Sequence, residues 1–211
     1  MKRSTRRKHR QYKFLYKLLR QARRHRKRGN HRQSRNILLN RVSIEHRPTI
    51  VERRKRLGDL EVDLIASKNY QAGLLVIVDR ASLKASITKL VTKSATHVTQ
   101  QIIRRTRPWK DLIRTFTYDN DLAFAGHQII NKAINSRSFF TRPYTSQDKG
   151  TVENRIGVIR RFFPKGTDFK NITTKEVKTV ENMINNRPVR KFNYQTPNAV
   201  FLQKLNVALI S

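Results

Sequence analysis

The sequence predicts an α/β fold built on a mixed sheet flanked by helices. Three strand-like segments follow one another between residues 58 and 91, and from residue 94 helical and strand-like segments alternate. A meander that passes into helix–strand alternation gives a sheet with both antiparallel and parallel neighbours, not a doubly wound parallel one. At 211 residues and 37% apolar, the chain has enough material for one core.

The elements follow in order. Residues 58 to 66 alternate apolar with polar, the pattern of a strand with one wet face. Leu74 to Val78 is continuously apolar and partly β-branched, the pattern of a buried strand. Ala85 to Val91 alternates again, completing an antiparallel meander. Ser94 reads as the N-cap of a helix that runs through Val98, Ile102 and Ile103 to Pro108. Arg114 to Tyr118 is a short strand, Phe124 to Ile134 a helix, and Ser138 to Tyr144 another short strand. Lys149 to Phe163 is helical, with Val152, Ile156, Ile159 and Phe163 along one stripe, and Pro164 with Gly166 ends it. Thr173 and Glu176 form a capping box for the next helix, which closes at Arg187-Pro188. Thr196-Pro197 opens the last one, with proline at its first position.

Charge narrows the function. The 47 Lys and Arg exceed the 14 Asp and Glu by 33, and a field that positive calls for a polyanion. Residues 1 to 44 hold 17 of the basic residues and no acid, which marks them as a basic, largely disordered nucleic-acid-binding arm that neutralises phosphates without reading sequence. Within the arm, Phe14, Leu15, Leu18 and Leu19 allow a short helix between Tyr12 and Arg24. The absence of cysteine excludes disulfide frameworks, thiolate zinc sites and cysteine nucleophiles. No apolar run reaches the roughly 20 residues of a membrane helix, and the N-terminus has no apolar signal core, so a cytoplasmic protein with no membrane partner is expected.

The few acids are informative because they are few. Asp63 lies in the first strand, Asp119 just past the fourth, and Glu153 in the helix after the fifth. Three carboxylates from separated segments of a basic protein suit Mg²⁺, a hard cation that takes oxygen ligands. Two such ions about 4 Å apart can activate a nucleophile and stabilise the leaving oxygen of a phosphodiester. Asp59 and Glu61 share a strand face with Asp63 and are weaker rivals. Asp79 and Arg80 read as an ion pair, and His127 as a structural histidine that could alternatively be a ligand or general base.

Three blocks then resemble a known family. Leu-Glu-Val-Asp at 60 to 63 resembles the Trp-Glu-Gly-Asp strand of the IS-thirty family of insertion-sequence transposases. Residues 117 to 127, Thr-Tyr-Asp-Asn-Asp-Leu-Ala-Phe-Ala-Gly-His, are similar to its Thr-x-Asp-Asn-Gly-x-Glu-Phe-Ala-x-His block. Residues 142 to 169 resemble, over nearly their whole length, the block carrying its catalytic Glu, and 185 to 197 resemble its ending. The resemblance implies an RNase H-like fold, catalytic and metal-binding roles for Asp63, Asp119 and Glu153, and two Mg²⁺ ions for which Mn²⁺ can substitute. Asp121 stands where the family has Gly, Ala123 where it has Glu, and Leu60 where it has Trp.

The function so implied is metal-dependent DNA strand cleavage and strand transfer by a homo-oligomer on transposon ends and target. Lys149, Arg155, Arg160, Arg161 and Lys165 flank Glu153 and are the candidates for phosphate contacts. Residues 45 to 170 would form the catalytic core and 171 to 211 a helical extension of it. The family's helix-turn-helix region is not recognisable upstream. A truncated, non-catalytic DNA-binding remnant that competes with an intact transposase is therefore the alternative. A basic RNA-packaging protein would share the composition but would need neither the spaced acids nor the long block.

Overall fold

The alternation of β1 (Asp59–Ala66) places Leu60, Val62 and Leu64 against one apolar cluster and Ile65 against another, so the sheet is covered on both sides. The computed structural model describes residues 38–68, 72–142 and 146–210. β2 (Gly73–Asp79), buried at every position, runs antiparallel to β1, and β3 (Ala85–Leu90) antiparallel to β2. β4 (Thr115–Tyr118) returns parallel to β1, and β5 (Arg137–Phe140) parallel to β4. The order β3-β2-β1-β4-β5 is the mixed sheet that the sequence predicts.

Two helices close each face. α1 (Ala95–Thr106) and α2 (His127–Ile134) bring Val98, Ile102, Ile130 and Ile134 against Val62, Leu75, Ile77 and Phe116. α3 (Gly150–Ile159) and α4 (Thr174–Asn185) bring Val152, Ile159, Val177, Val180 and Ile184 against Ile65, Leu74, Val76 and Ile87. Each such side chain contributes about 1.5–3 kcal/mol on leaving water. α5 (Pro197–Ile210) adds Phe201, which packs edge-on to Trp109 with ring centroids 5.3 Å apart.

The expected caps are in place. Ser94 accepts from His97 N–H, Thr173 and Glu176 cap reciprocally, and Thr196 accepts from Ala199 N–H. Three boundaries differ from expectation, the first being the strand expected from Ser138 to Tyr144, which runs Arg137–Phe140. The helix expected from Phe124 begins at His127, because Leu122–Phe124 form a separate tight turn capped by Asp121. The helix expected to reach Phe163 ends at Ile159, and the chain passes into tight turns ahead of Pro164, with the Phe162 and Phe163 N–H groups both donating to the Ile159 carbonyl at 3.0 Å.

Both sheet edges are occupied by polar partners. On β3, Asn185 binds the Ala85 N–H and C=O at 2.8 and 2.7 Å, and Glu181 takes the Ile87 N–H at 2.6 Å. On β5, Phe140 N–H donates to the Val42 carbonyl at 2.9 Å, and Ser43 bridges to Phe140. A sheet edge left bare offers its N–H and C=O groups to other chains. Leu38 and Ile44 are buried, so the folded region begins before the boundary expected at residue 45. The boundary expected at residue 170 falls between elements that share one core, since α4 is a layer of that core. The arm's first 37 residues, with the helix expected between Tyr12 and Arg24, lie outside the described residues. Among the described residues no helix is long and apolar enough to cross a membrane.

Candidate active site

The parallel register of β1 and β4 puts Glu61 beside Thr117. Two residues further along both chains stand Asp63 and Asp119, on the sheet face that α3 covers. Asp119 is the first residue beyond β4, where the strand opens into a turn. α3 is fixed over this point from below: Val152 N–H donates to the Glu61 carboxylate at 2.7 Å, which supplies the helix's first turn with an acceptor from another element. That contact sets the position of Lys149, at the helix N-cap, and of Glu153, in its first turn.

Lys149 joins the two aspartates. Its Nζ lies 3.3 Å from Asp63 Oδ2 and 3.5 Å from Asp119 Oδ2, and it donates to the Val62 carbonyl at 3.5 Å. The residue is only 5% exposed, so an ammonium group is enclosed between two carboxylates. Burial pushes the Asp119 carboxyl up, Lys149 opposes that shift, and Asp63 adds to it. Burial likewise raises Glu153, with Lys149 opposing and Asp63 and Glu61 adding. Glu153 thus sits in the field of the same groups, one helical turn beyond Lys149, although its side chain is exposed.

Among the described residues no three His, Asp or Glu side chains come close enough together to hold a metal ion. Asp63 and Asp119 do converge on one cation, and one or two carboxylates with waters are the usual protein ligands of Mg²⁺. The oxygen donors therefore fit one hard divalent cation at the point that both aspartates face. Glu153 is the nearby acid that feels the field of Asp63 and Lys149 while its own side chain stays exposed.

The rival acids are engaged elsewhere. Asp59 accepts from Arg56 at 2.8 and 2.9 Å and from the Thr115 hydroxyl at 2.8 Å. Glu61 caps α3 and faces Arg80 at 3.3 Å. The expected Asp79–Arg80 pair does not form. Asp79 instead accepts from Gly58, Ala81 and Ser82 N–H and from the Ser82 hydroxyl, while Arg80 lies between Glu52 and Glu61. Neighbours in sequence at a strand end point to opposite sides, which is why adjacency misleads here. His127 is buried, its ring nitrogens facing the Phe124 and Asn40 carbonyls, so its role is structural.

Of the five residues expected at phosphates, Arg161 and Lys165 are exposed, and Arg160 is half-buried and donates to the Pro164 carbonyl at 3.3 Å. Lys149 is enclosed at the aspartates. Arg155 is 4% exposed, and its Nε and Nη2 have no hydrogen-bond partner. It lies three residues after Val152 and four before Ile159, which puts it on the buried face of α3 and not on a phosphate-facing one. Burial and the nearby Arg187 push its guanidinium down to about 10. Asp121 occupies ordinary extended backbone, φ −75°, so the turn does not need the glycine of the family pattern; its carboxylate caps the Ala123 N–H at 2.9 Å. The sequence reading missed Glu61 as a cap and Lys149 as a bridge. The second was signalled by the four-residue spacing from Lys149 to Glu153, which puts both on one helix face.

No protein-family model matches the chain. A Bacteroides fragilis transposase for insertion sequence element IS4351 is 42% identical over 193 residues, 91% of this chain and 59% of the relative. Transposase InsI for insertion sequence element IS30A of Escherichia coli (strain K12) is 31% identical over 184 residues, 86% of this chain and 47% of the relative. The chain therefore spans about half of the length of such relatives. The crystal structure of the catalytic core domain of BIV integrase superposes with a TM-score of 0.56 at 17% identity, over 72% of this chain and 97% of that one. A chain of the simian T-cell lymphotropic virus intasome, solved with PP2A regulatory subunit B56 gamma, gives 0.58 at 17% identity, over 69% of this chain and 54% of that one. The fold is thus the RNase H-like fold of integrase catalytic cores.

Proposed function

This chain is a relative of the insertion-sequence transposases with the fold of an integrase catalytic core, and from that premise we propose that it carries the strand-cleaving and strand-transferring centre of a DNA transposase. The observation that carries the reading is the convergence of Asp63 and Asp119 on one buried cation, beside a third acid on the helix that Glu61 caps. Asp63 and Asp119 would hold two divalent ions, Mg²⁺ or Mn²⁺, between them, and Glu153 would complete the site. Bound there, such ions supply the charge that activates a water or a 3′ hydroxyl and stabilises the leaving oxygen.

The chain's own residues do the rest. The parallel pairing of β1 and β4 brings the two aspartates to one place, so these two residues need little rearrangement of their own. Glu153 swings from an exposed position on the first turn of α3, with the helix held by Glu61. Arg160, Arg161 and Lys165, at and beyond the end of that helix, offer phosphate contacts that hold DNA without reading its sequence. DNA is the substrate in this reading, with several copies of the chain assembled on paired ends in the cytoplasm.

Nicking of supercoiled plasmid at low salt with Mg²⁺ or Mn²⁺ tests the proposal. Wild type should nick, whereas Asp63→Asn, Asp119→Asn and Glu153→Gln should each lose activity by a factor of at least about 100, the scale set by removing one group that stabilises developing charge. Equal nicking by wild type and Asp119→Asn would reject the site. Tight DNA binding without nicking under any metal would reject catalysis.

A further inference from the structure

We infer that the ammonium of Lys149 is the resident counter-cation of the Asp63–Asp119 pair, holding both carboxylates in place until a divalent ion displaces it. The inference rests on the metal-site reading above and adds a competitor built into the same helix. Among the ion pairs of the described residues, these two aspartates are paired with Lys149 alone. Two like charges that converge on one point repel, and one cation between them relieves both.

The side chain suits the role. Lys149 is anchored at the α3 N-cap, where Glu61 holds the helix, so its backbone need not move. Its stem has four rotatable bonds, enough to withdraw the ammonium while the helix stays seated. Glu153 lies on the same face one turn later, so withdrawal of Lys149 opens the space between that acid and the aspartates. The metal-free and metal-bound sites then differ by one lysine rotamer and one glutamate rotamer.

Displacement is a coupling between two cations for one position, and such coupling is reciprocal. In the full-length chain, Lys149→Met keeps the buried stem and removes the charge. Without metal, in chelator, this variant should melt below wild type. In Mn²⁺ it should recover the wild-type melting temperature, and by calorimetric titration it should bind Mn²⁺ about tenfold more tightly than wild type. Lys149→Arg, which restores a cation, should return the metal-free melting temperature toward wild type. An unchanged or higher metal-free melting temperature, unchanged or weaker Mn²⁺ binding, or failure to recover in saturating Mn²⁺ would each overturn the inference. Asp119→Asn separates the two readings. Mn²⁺ binding that Asp119→Asn abolishes, with Lys149→Met no tighter than wild type, defeats the lysine's role alone. Binding to neither wild type nor Lys149→Met defeats the metal site and the inference together.

Discussion

Glu61 of β1 accepts the N–H of Val152 in α3 at 2.7 Å while facing the Arg80 guanidinium at 3.3 Å, so one fully buried carboxylate both caps a helix and neutralises a buried cation. The helix it caps carries Lys149 and Glu153, which makes a core residue responsible for the geometry of the site.

Glu61→Ala should therefore lower stability by about 3–5 kcal/mol, because Val152 loses its acceptor and the buried Arg80 keeps only the exposed Glu52 as a partner. Glu61→Gln keeps an acceptor for Val152 and should cost less, about 1–3 kcal/mol. Denaturant midpoints measure both, and amide exchange at Val152 distinguishes them: it should speed up in the alanine variant and stay slow in the glutamine one.

Arg155 makes the opposite prediction. A buried guanidinium with two unpartnered nitrogens weakens the fold, so Arg155→Met should be neutral or stabilising by about 1–4 kcal/mol, as replacements of buried charge by apolar groups often are. DNA affinity and its salt dependence should not change, whereas removing Arg161 or Lys165 should weaken binding and shallow the salt slope by about one unit each. A loss of DNA affinity in Arg155→Met would place that side chain at a phosphate after all.

The capping box of α4 gives a pH dependence. Hydrogen bonds from the Thr173 hydroxyl and N–H hold the Glu176 carboxyl below its ordinary value of 4.5. For a carboxyl depressed in the folded state, the stabilisation is present above 4.5 and is lost as the pH falls through its lower folded value. The gap in urea midpoint between wild type and Glu176→Gln should therefore be widest near neutrality and close on acidification below 4.5. A gap that is constant with pH would show that Glu176 acts through packing alone.

Much of this was legible in the sequence, because it depends on local periodicity. The meander, the caps at Ser94 and Thr173, the proline-led start of α5 and the placement of Asp63 within β1 and of Asp119 just past β4 all follow from residue spacing. So does the scarcity of acids, which singled out three of them. What the sequence left open are pairings across distance. It put Asp79 with Arg80 because they are neighbours, yet Arg80 reaches Glu52 and Glu61, and Asp79 holds the Gly58 turn. It put Arg155 among the phosphate-binding residues because it flanks Glu153, yet the side chain lies on the face of α3 that also buries Val152 and Ile159.

By itself, then, the sequence determined the mixed sheet, its order of elements and the candidate acids, since hydrophobic period and capping are short-range physics. Only the tertiary structure decided that Glu61 caps α3, that Asn185 closes the β3 edge, and that Lys149 lies between Asp63 and Asp119. Apart from Lys149 with Asp119, those contacts join residues about 90 to 100 positions apart in the chain, at distances of about 3 Å. A charge finds such a partner only after the core has fixed where the helix sits, because the burial that brings the groups together also makes their pairing necessary.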